Sequence, residues 1–252
     1  MLESHTTQVD PPQIAASDFT IPEPLDLEFE GWTPEVFAML DRLREHPHID
    51  QYRKEKPGVT ERLKDPFKRY RNDLVVNWVL PNRLDLETEK NVFSRLLKND
   101  FGAGGCKDNL WMSFYRPGRK RLEDVQISHK ISPDGFAVGI FVGGYAKDLV
   151  KQAKARIDRE PDRYLSLINP LLESGDWKFF FRTGSGKSKE MHRFEAPIEA
   201  MPDAIGRAKA IWVRRYFDRD DVLDWGPDLV SHALGTVRTL WPLYRFYLAG
   251  SS

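Results

Sequence analysis

With 252 residues, 40% of them hydrophobic and 12% aromatic, the chain has the composition of a globular protein, long enough for one large domain or two small ones and unlike a disordered chain. Lys and Arg number 38, as do Asp and Glu, so no global field favours a polyanion or an acidic membrane and any basic site must be local. The single cysteine, Cys106, excludes an internal disulfide; no apolar run approaches the ~20 residues that span a bilayer, no cationic-then-apolar leader is readable, and a cytoplasmic protein is expected.

Residues 1–29 read as a flexible tail, because Pro11, Pro12, Pro22 and Pro24 recur and no periodicity persists. Thr33-Pro34-Glu35 then starts a helix, with a capping hydroxyl, a proline at the first position and an acid in the first turn. Val36, Phe37, Leu40 and Leu43 keep one face of it apolar up to His46-Pro47. Asp65-Pro66 opens a second helix, with Phe67, Tyr70, Leu74 and Trp78 at helical spacing until Pro81. A third is expected over 86–98, with Val92, Phe93, Leu96 and Leu97 inward, ended by the glycines between Gly102 and Gly105.

The middle of the chain is strand-like. Leu110 to Tyr115 is aromatic-rich, and Val125, Ile127, His129 and Ile131 alternate with polar residues. Ser132-Pro133-Asp134-Gly135 places proline and glycine where a turn wants them, and the apolar run from Phe136 to Val142 returns, so 125–142 reads as a hairpin. After Gly143-Gly144 a helix follows through Leu149, Val150, Ala153 and Ile157, and Pro161-Asp162 starts another through Tyr164, Leu165, Ile168 and Leu172. Strands are expected at 177–182 and 210–217, and a last long helix over 227–248 with Pro242 as a possible kink. The pattern defines an α+β fold: one domain over 30–250, its central sheet antiparallel, with helices clustered at the N- and C-terminal ends.

Several of these segments occur together in a known family. Phe29-Glu30-Gly31-Trp32 leads into the first helix, Tyr52-Arg53 and Lys56 precede Asp65-Pro66-Phe67, and the Ser132 to Gly135 turn is followed by Ile157-Asp158-Arg159-Glu160-Pro161-Asp162-Arg163-Tyr164. The chain closes with Val213 to Phe217 and Trp241-Pro242-Leu243-Tyr244. In these positions it resembles a widespread bacterial and fungal family catalogued only as a domain of unknown function. That family carries an R-x-x-R-D-x-R-F-S-x-D-K-x-P-Y core, of which Arg95, Lys98, Asp100-Phe101 and Lys107-Asp108 stand for fragments, while its tyrosine and proline have no counterpart. The resemblance implies a divergent relative and a fold, and no activity.

The stretch closest to a chemical signature is Gly184-Ser185-Gly186-Lys187-Ser188. A phosphate-binding P-loop reads G-x-x-x-x-G-K-[ST] and opens a helix. Here Phe181 occupies the first glycine position, and the polar run Lys189 to Ala196 ends at Pro197, so the segment reads as a loop between strands. Arg116, Arg119, Lys120 and Arg121 surround a turn beside Trp111, Phe114 and Tyr115, a combination that can hold phosphates and stack bases, or form a solvated hairpin tip. The anion-binding candidates are therefore Arg95, Lys98, Lys107, Arg116, Arg119, Lys120, Arg121, Arg182 and Lys187.

The rest points less sharply. His129 faces inward in phase with its neighbours, either as a hydrogen-bonded structural residue or, beside a carboxylate, as a base. Asp218, Asp220, Asp221 and Asp224 lie ahead of the last helix, where acids cap. Asp100, Asp108 and Asp221 are the weak metal candidates; no metal-ligand spacing and no cofactor motif is present, and no cofactor is expected. The reading is a cytoplasmic binding module for an anionic partner, nucleotide or nucleic acid, through loops near 95–121 and 182–192. The alternatives are a metal-dependent hydrolase or nuclease-like enzyme, and a protein-interaction subunit without catalysis.

Overall fold

The structure, a computed structural model, describes residues 8–249. Pro34 begins α1 (Pro34–Glu45), which buries Val36, Phe37, Met39, Leu40 and Leu43 as its spacing requires. α2 (Ile49–Gly58) follows, led by His48, whose Nδ1 accepts from the Asp50 backbone amide at 3.3 Å. α3 (Asp65–Leu74) is flanked by wider π-type turns at Val59–Lys64 and Val75–Val79. Two further helices, α4 (Lys147–Arg159) and α5 (Pro161–Glu173), come from the expected segments, and Asp218 precedes the short α6 (Arg219–Trp225).

Six strands form one sheet: β1 (Leu110–Phe114), β2 (Gln126–Ser132), β3 (Gly135–Val142), β4 (Trp177–Thr183), β5 (Glu190–Phe194) and β6 (Ala210–Asp218). Their order is β1-β2-β3-β6-β4-β5 and every neighbouring pair is antiparallel, β2–β3 and β4–β5 as hairpins and β6 by insertion between β3 and β4. Gly135 has φ +131°, and a Cβ there would lie 2.1 Å from the Phe217 carbonyl, so the turn into β3 and its pairing with β6 require glycine.

Period-two alternation gives the sheet two unlike faces. Met112, Ile127, His129, Ile131, Phe136, Val138, Ile140, Val213 and Phe179 are buried on the face that meets the helices. The last helix, α7 (Leu229–Leu248), is buried on most sides, as a helix apolar all round should be. Edge-to-face aromatic contacts join the layers: Phe29 to Trp32 and Tyr70, Tyr70 to Phe136, and Trp78 to Phe114 and Trp241. The Arg156 guanidinium donates to the carbonyls of Phe246 and Ala249, satisfying the end of α7. Among the described residues no helix is long and apolar enough to cross a membrane.

Three expectations are corrected. Asp65-Pro66 opens no helix: Lys64 before it is already helical, and the helical run is continuous from Ile49 to Val79, the wider π-type turn at Val59–Lys64 accommodating the proline. Residues 86–98 form no helix; they run beside β1 as an irregular edge. The Glu87 amide donates to the Tyr115 carbonyl, Ser94 to Trp111, and Ser113 donates back to Val92. Val92, Ser94 and Leu96 are buried in alternation, and Asn91 takes φ +56°, which no helix tolerates. The tail is also not free from Gln8 onward, and residues 1–7 lie outside the described residues. Val9 pairs with the chain at Arg83 and Asp85, Pro12 and Ile14 carbonyls accept from Arg245 and Trp241 of α7, and Phe19 and Phe29 are buried. Three side chains of the α3 region then hold the strap by its backbone. Asn82 and Asn77 each bond both the amide and the carbonyl of one residue, Thr20 and Asp26 respectively, and Asp73 accepts from Glu28 and Phe29.

Candidate functional site

The loop 184–188 joins β4 to β5, as its failure to match a P-loop predicts. Gly184 adopts φ +62°, and a Cβ there would come within 1.9 Å of the Ser188 carbonyl. Ser188 closes the turn: its Oγ donates to the Ser185 carbonyl at 2.8 Å and accepts from the Ser185 amide at 3.3 Å. The hydroxyl that would hold Mg²⁺ in a P-loop is here a structural group. What the loop does is form one wall of a groove of about 350 Å³.

The opposite wall is α4. Lys147, Lys151 and Lys154 follow one another at spacings of four and three residues, so all three project from one helix face into the groove. Arg182 from β4, Lys189 from the loop and Lys209 from the segment before β6 complete six cations, with Gly144, Gly184 and Ser185 between them and no carboxylate in the lining. Gly144 brings the backbone close, since a Cβ there would lie 3.4 Å from Arg182 Nη2. Among the described residues none of the six cations forms an ion pair, and Arg182 Nε is buried without a hydrogen-bond partner. Burial lowers the Lys154 pKa, and neighbouring Lys209 lowers it further. Aligned like charges at these spacings weaken an isolated helix by ~0.2–0.5 kcal/mol per pair, a cost that the buried face of α4, with Leu149, Val150, Ala153 and Ile157, offsets.

The nine predicted cations fall into separate groups. Arg182 lines the groove, and Lys187 is exposed at the tip of the same loop. Arg95, Lys98, Lys107 and Arg121 lie near one another at the far end of the sheet, beside β1; burial lowers the Lys107 pKa, with Arg121 and Lys98 adding to the effect, and Arg121 likewise feels Arg95. Because β2, β3 and β6 separate β1 from β4, the loops 95–121 and 182–192 do not form one patch. Arg116 is no surface cation. Its guanidinium is buried against Asp124, 2.6 Å from Nη2 to Oδ1, and its backbone amide donates to the same carboxylate. Arg119 approaches the same Asp124 at 4.0 Å and Lys120 pairs with Glu123 at 3.0 Å, so three of the turn's four cations have an acidic partner, while Arg121 donates to the Asn91 carbonyl. Lys147, Lys151, Lys154, Lys189 and Lys209 were not singled out from sequence, although the Lys-x3-Lys-x2-Lys spacing on a helix was visible there.

The other candidates resolve into structural parts. His129 is fully buried, its Nδ1 2.9 Å from the Tyr70 hydroxyl, and burial holds its pKa down to about 3, leaving a neutral imidazole. His192 stacks on Phe181 and His232 on Trp225. Asp100 accepts the Gly105 amide, and Asp108 is held by Arg44 and Asn109. Asp220 and Asp221 lie in the first turn of α6, while Asp218 at the N-cap makes no side-chain capping bond. Among the described residues no three His, Cys, Asp or Glu side chains converge to hold a metal. Cys106 is buried, with Sγ 3.4 Å from the His48 carbonyl, and burial raises its pKa. Neither a scan against protein-family models nor a search of the curated proteins finds a match to this chain.

Proposed function

We propose that the protein is a binding module for a compact phosphate-bearing ligand, a nucleotide held by its phosphates in the groove between α4 and the β4–β5 loop. The observation that carries this reading is six converging cations with no acid among them. Some cations elsewhere pair off, among them Arg42 with Glu55, Arg44 with Asp108 and Asp134, and Lys68 with Asp65, whereas no acid enters the lining of the groove. A protein of zero net charge that concentrates unpaired cations in one concave site offers a local field suited to a multiply charged anion. No aromatic side chain lines the groove, so recognition runs through phosphates and leaves the base unread. The volume of about 350 Å³ suits a nucleotide-sized ligand better than an extended strand. A cytoplasmic location, expected from the lone cysteine, agrees with such a ligand. Kinship with the family of unknown function belongs to the same proposal and supplies no activity.

The test is fluorescence anisotropy with a labelled nucleoside triphosphate and, separately, a labelled single-stranded oligonucleotide, at low and physiological salt. The triphosphate is expected to bind and to weaken as salt rises, with Lys151→Gln/Lys154→Gln reducing affinity by roughly tenfold or more. A chain that melts normally yet binds neither probe at low salt, or a double variant that binds as the parent does, overturns the proposal. Tighter binding of the oligonucleotide than of the triphosphate would reassign the groove to nucleic acid.

A further inference from the structure

The face of the sheet opposite the helices carries a second pocket, which shares no residue with the groove. Cross-strand register builds it in three rows. Trp111, Lys130 and Ala137 lie opposite one another on β1, β2 and β3. Beside them run Ser113, Ser128, Gly139 and Arg214, and then Gln126, Phe141 and Trp212. Gly139 leaves room for the Arg214 stem over β3, because a Cβ there would meet Arg214 Cγ at 2.4 Å, while the guanidinium bonds the Tyr216 hydroxyl and lies 5.7 Å from the Phe180 ring centroid. The space enclosed is about 250 Å³, walled by Trp111, Phe141 and Trp212. Phe141 and Trp212 are stacked, with centroids 4.9 Å apart, and the Arg121 guanidinium covers Trp111 at 4.4 Å.

Three features of this pocket ask for a ligand. Gln126 lines it, is fully buried, and has no hydrogen-bond partner for either Oε1 or Nε2. A buried amide with neither donor nor acceptor engaged costs several kcal/mol unless something supplied from outside engages it. Lys130 and Arg214 lie on the same surface, and among the described residues neither forms an ion pair. The acids nearest Lys130 in the field, Asp108 and Asp134, are both held by Arg44, at 2.9 and 2.7 Å. Burial lowers the pKa of both cations and Arg214 lowers that of Lys130 further, more than Asp108 and Asp134 for Lys130 and the Tyr216 hydroxyl for Arg214 offset. The walls are flat aromatic surfaces, to which a planar body adheres better than an aliphatic one.

We propose that this pocket binds a small planar carboxylate, an aromatic acid of one ring, with its carboxylate between Lys130 and Arg214 and its ring edge read by the Gln126 amide. The guanidinium fork and the ammonium suit a carboxylate, and the indole and phenyl walls hold the ring. Gln126 adds selectivity for a ring bearing a hydrogen-bonding atom, since a ring without one leaves the amide unpaired. The site is independent of the phosphate groove and stands or falls apart from it.

The experiment uses the full chain with benzoate, nicotinate and inorganic phosphate as probes, followed by ligand-observed NMR titration. Both carboxylates are expected to bind, nicotinate several-fold the tighter because its ring nitrogen can accept from Gln126 Nε2. Lys130→Met should weaken both by roughly tenfold, the loss of one charge-assisted hydrogen bond. Gln126→Leu, an apolar replacement in a buried position, should keep benzoate binding and erase the preference for nicotinate, with melting curves confirming that both variants fold. Absence of binding by either carboxylate to the normally melting parent overturns the proposal. Equal competition by inorganic phosphate would overturn the planar-acid assignment in favour of a simple anion site. Loss of carboxylate binding in Lys151→Gln/Lys154→Gln would move it to the groove and overturn it equally.

Discussion

Asn77→Ala tests whether the N-terminal strap is part of the folded domain. Asn77 is fully buried; its Oδ1 accepts from the Asp26 amide at 2.9 Å, and its Nδ2 donates to the Asp26 carbonyl at 2.6 Å and to the Asp73 carbonyl at 2.8 Å. Alanine removes both strap bonds and leaves the Asp26 amide and carbonyl facing a helix that no longer answers them. Two net hydrogen bonds at ~1 kcal/mol each, plus part of the desolvation penalty of the two orphaned groups, come to about 3 kcal/mol. Asp26 is exposed, so water recovers the remainder of that penalty. For a chain of this size the loss corresponds to a fall in melting temperature of about 6–12 °C. Urea titration of the variant beside Val76→Ala, at an exposed neighbouring position, measures it; the control should stay within ~0.5 kcal/mol of the parent. Thermolysin should also cut the variant sooner among Ile14, Leu25 and Leu27, because the strap is released before the core opens. If Asn77→Ala matches the control in both assays, the strap is not held by these bonds and the account of it is wrong.

His129 makes stability depend on pH. Its folded pKa of about 3 lies below the ordinary value of 6.5, so below pH 6.5 the unfolded chain binds a proton that the folded chain refuses. Its contribution is intact above pH 6.5 and is lost progressively as pH falls toward 3, at ~1.4 kcal/mol per pH unit. His129→Phe should remove that slope between pH 6 and 4, measured by urea midpoints; an unchanged slope would refute the buried neutral imidazole. Asp124→Asn removes the carboxylate against which the Arg116 guanidinium is buried and should cost about 3–5 kcal/mol, read by the same titration. A loss below ~1 kcal/mol would show that Arg116 escapes to solvent and is the surface cation its sequence context suggested.

What the sequence determined by itself was local. Thr33-Pro34-Glu35 specifies a helix start through fixed φ and first-turn chemistry, and α1 begins there, whereas Asp65-Pro66 falls inside a helical run already under way from Ile49. The alternation from Val125 to Val142 around Pro133 and Gly135 specifies a hairpin, and α7 declares itself by apolar residues at helical spacing. Tertiary structure decided the rest. The pattern Val92, Phe93, Leu96, Leu97 fits a helix and equally an edge of alternating burial, and the free edge of β1 selects the second. Proline-rich residues 8–29 have no periodicity, because their backbone is satisfied by Asn82, Asn77 and Asp73, partners more than forty residues away in sequence. The same holds for the sites. Arg116 reads as exposed until Asp124 is placed beside it, Lys147, Lys151, Lys154 and Lys209 become one groove only when α4 meets the β4–β5 loop, and Gln126, Lys130 and Arg214 share a pocket only through the register of β2, β3 and β6. Charges attract or repel through space, and the chain reveals which of its cations lack a partner only once it is folded.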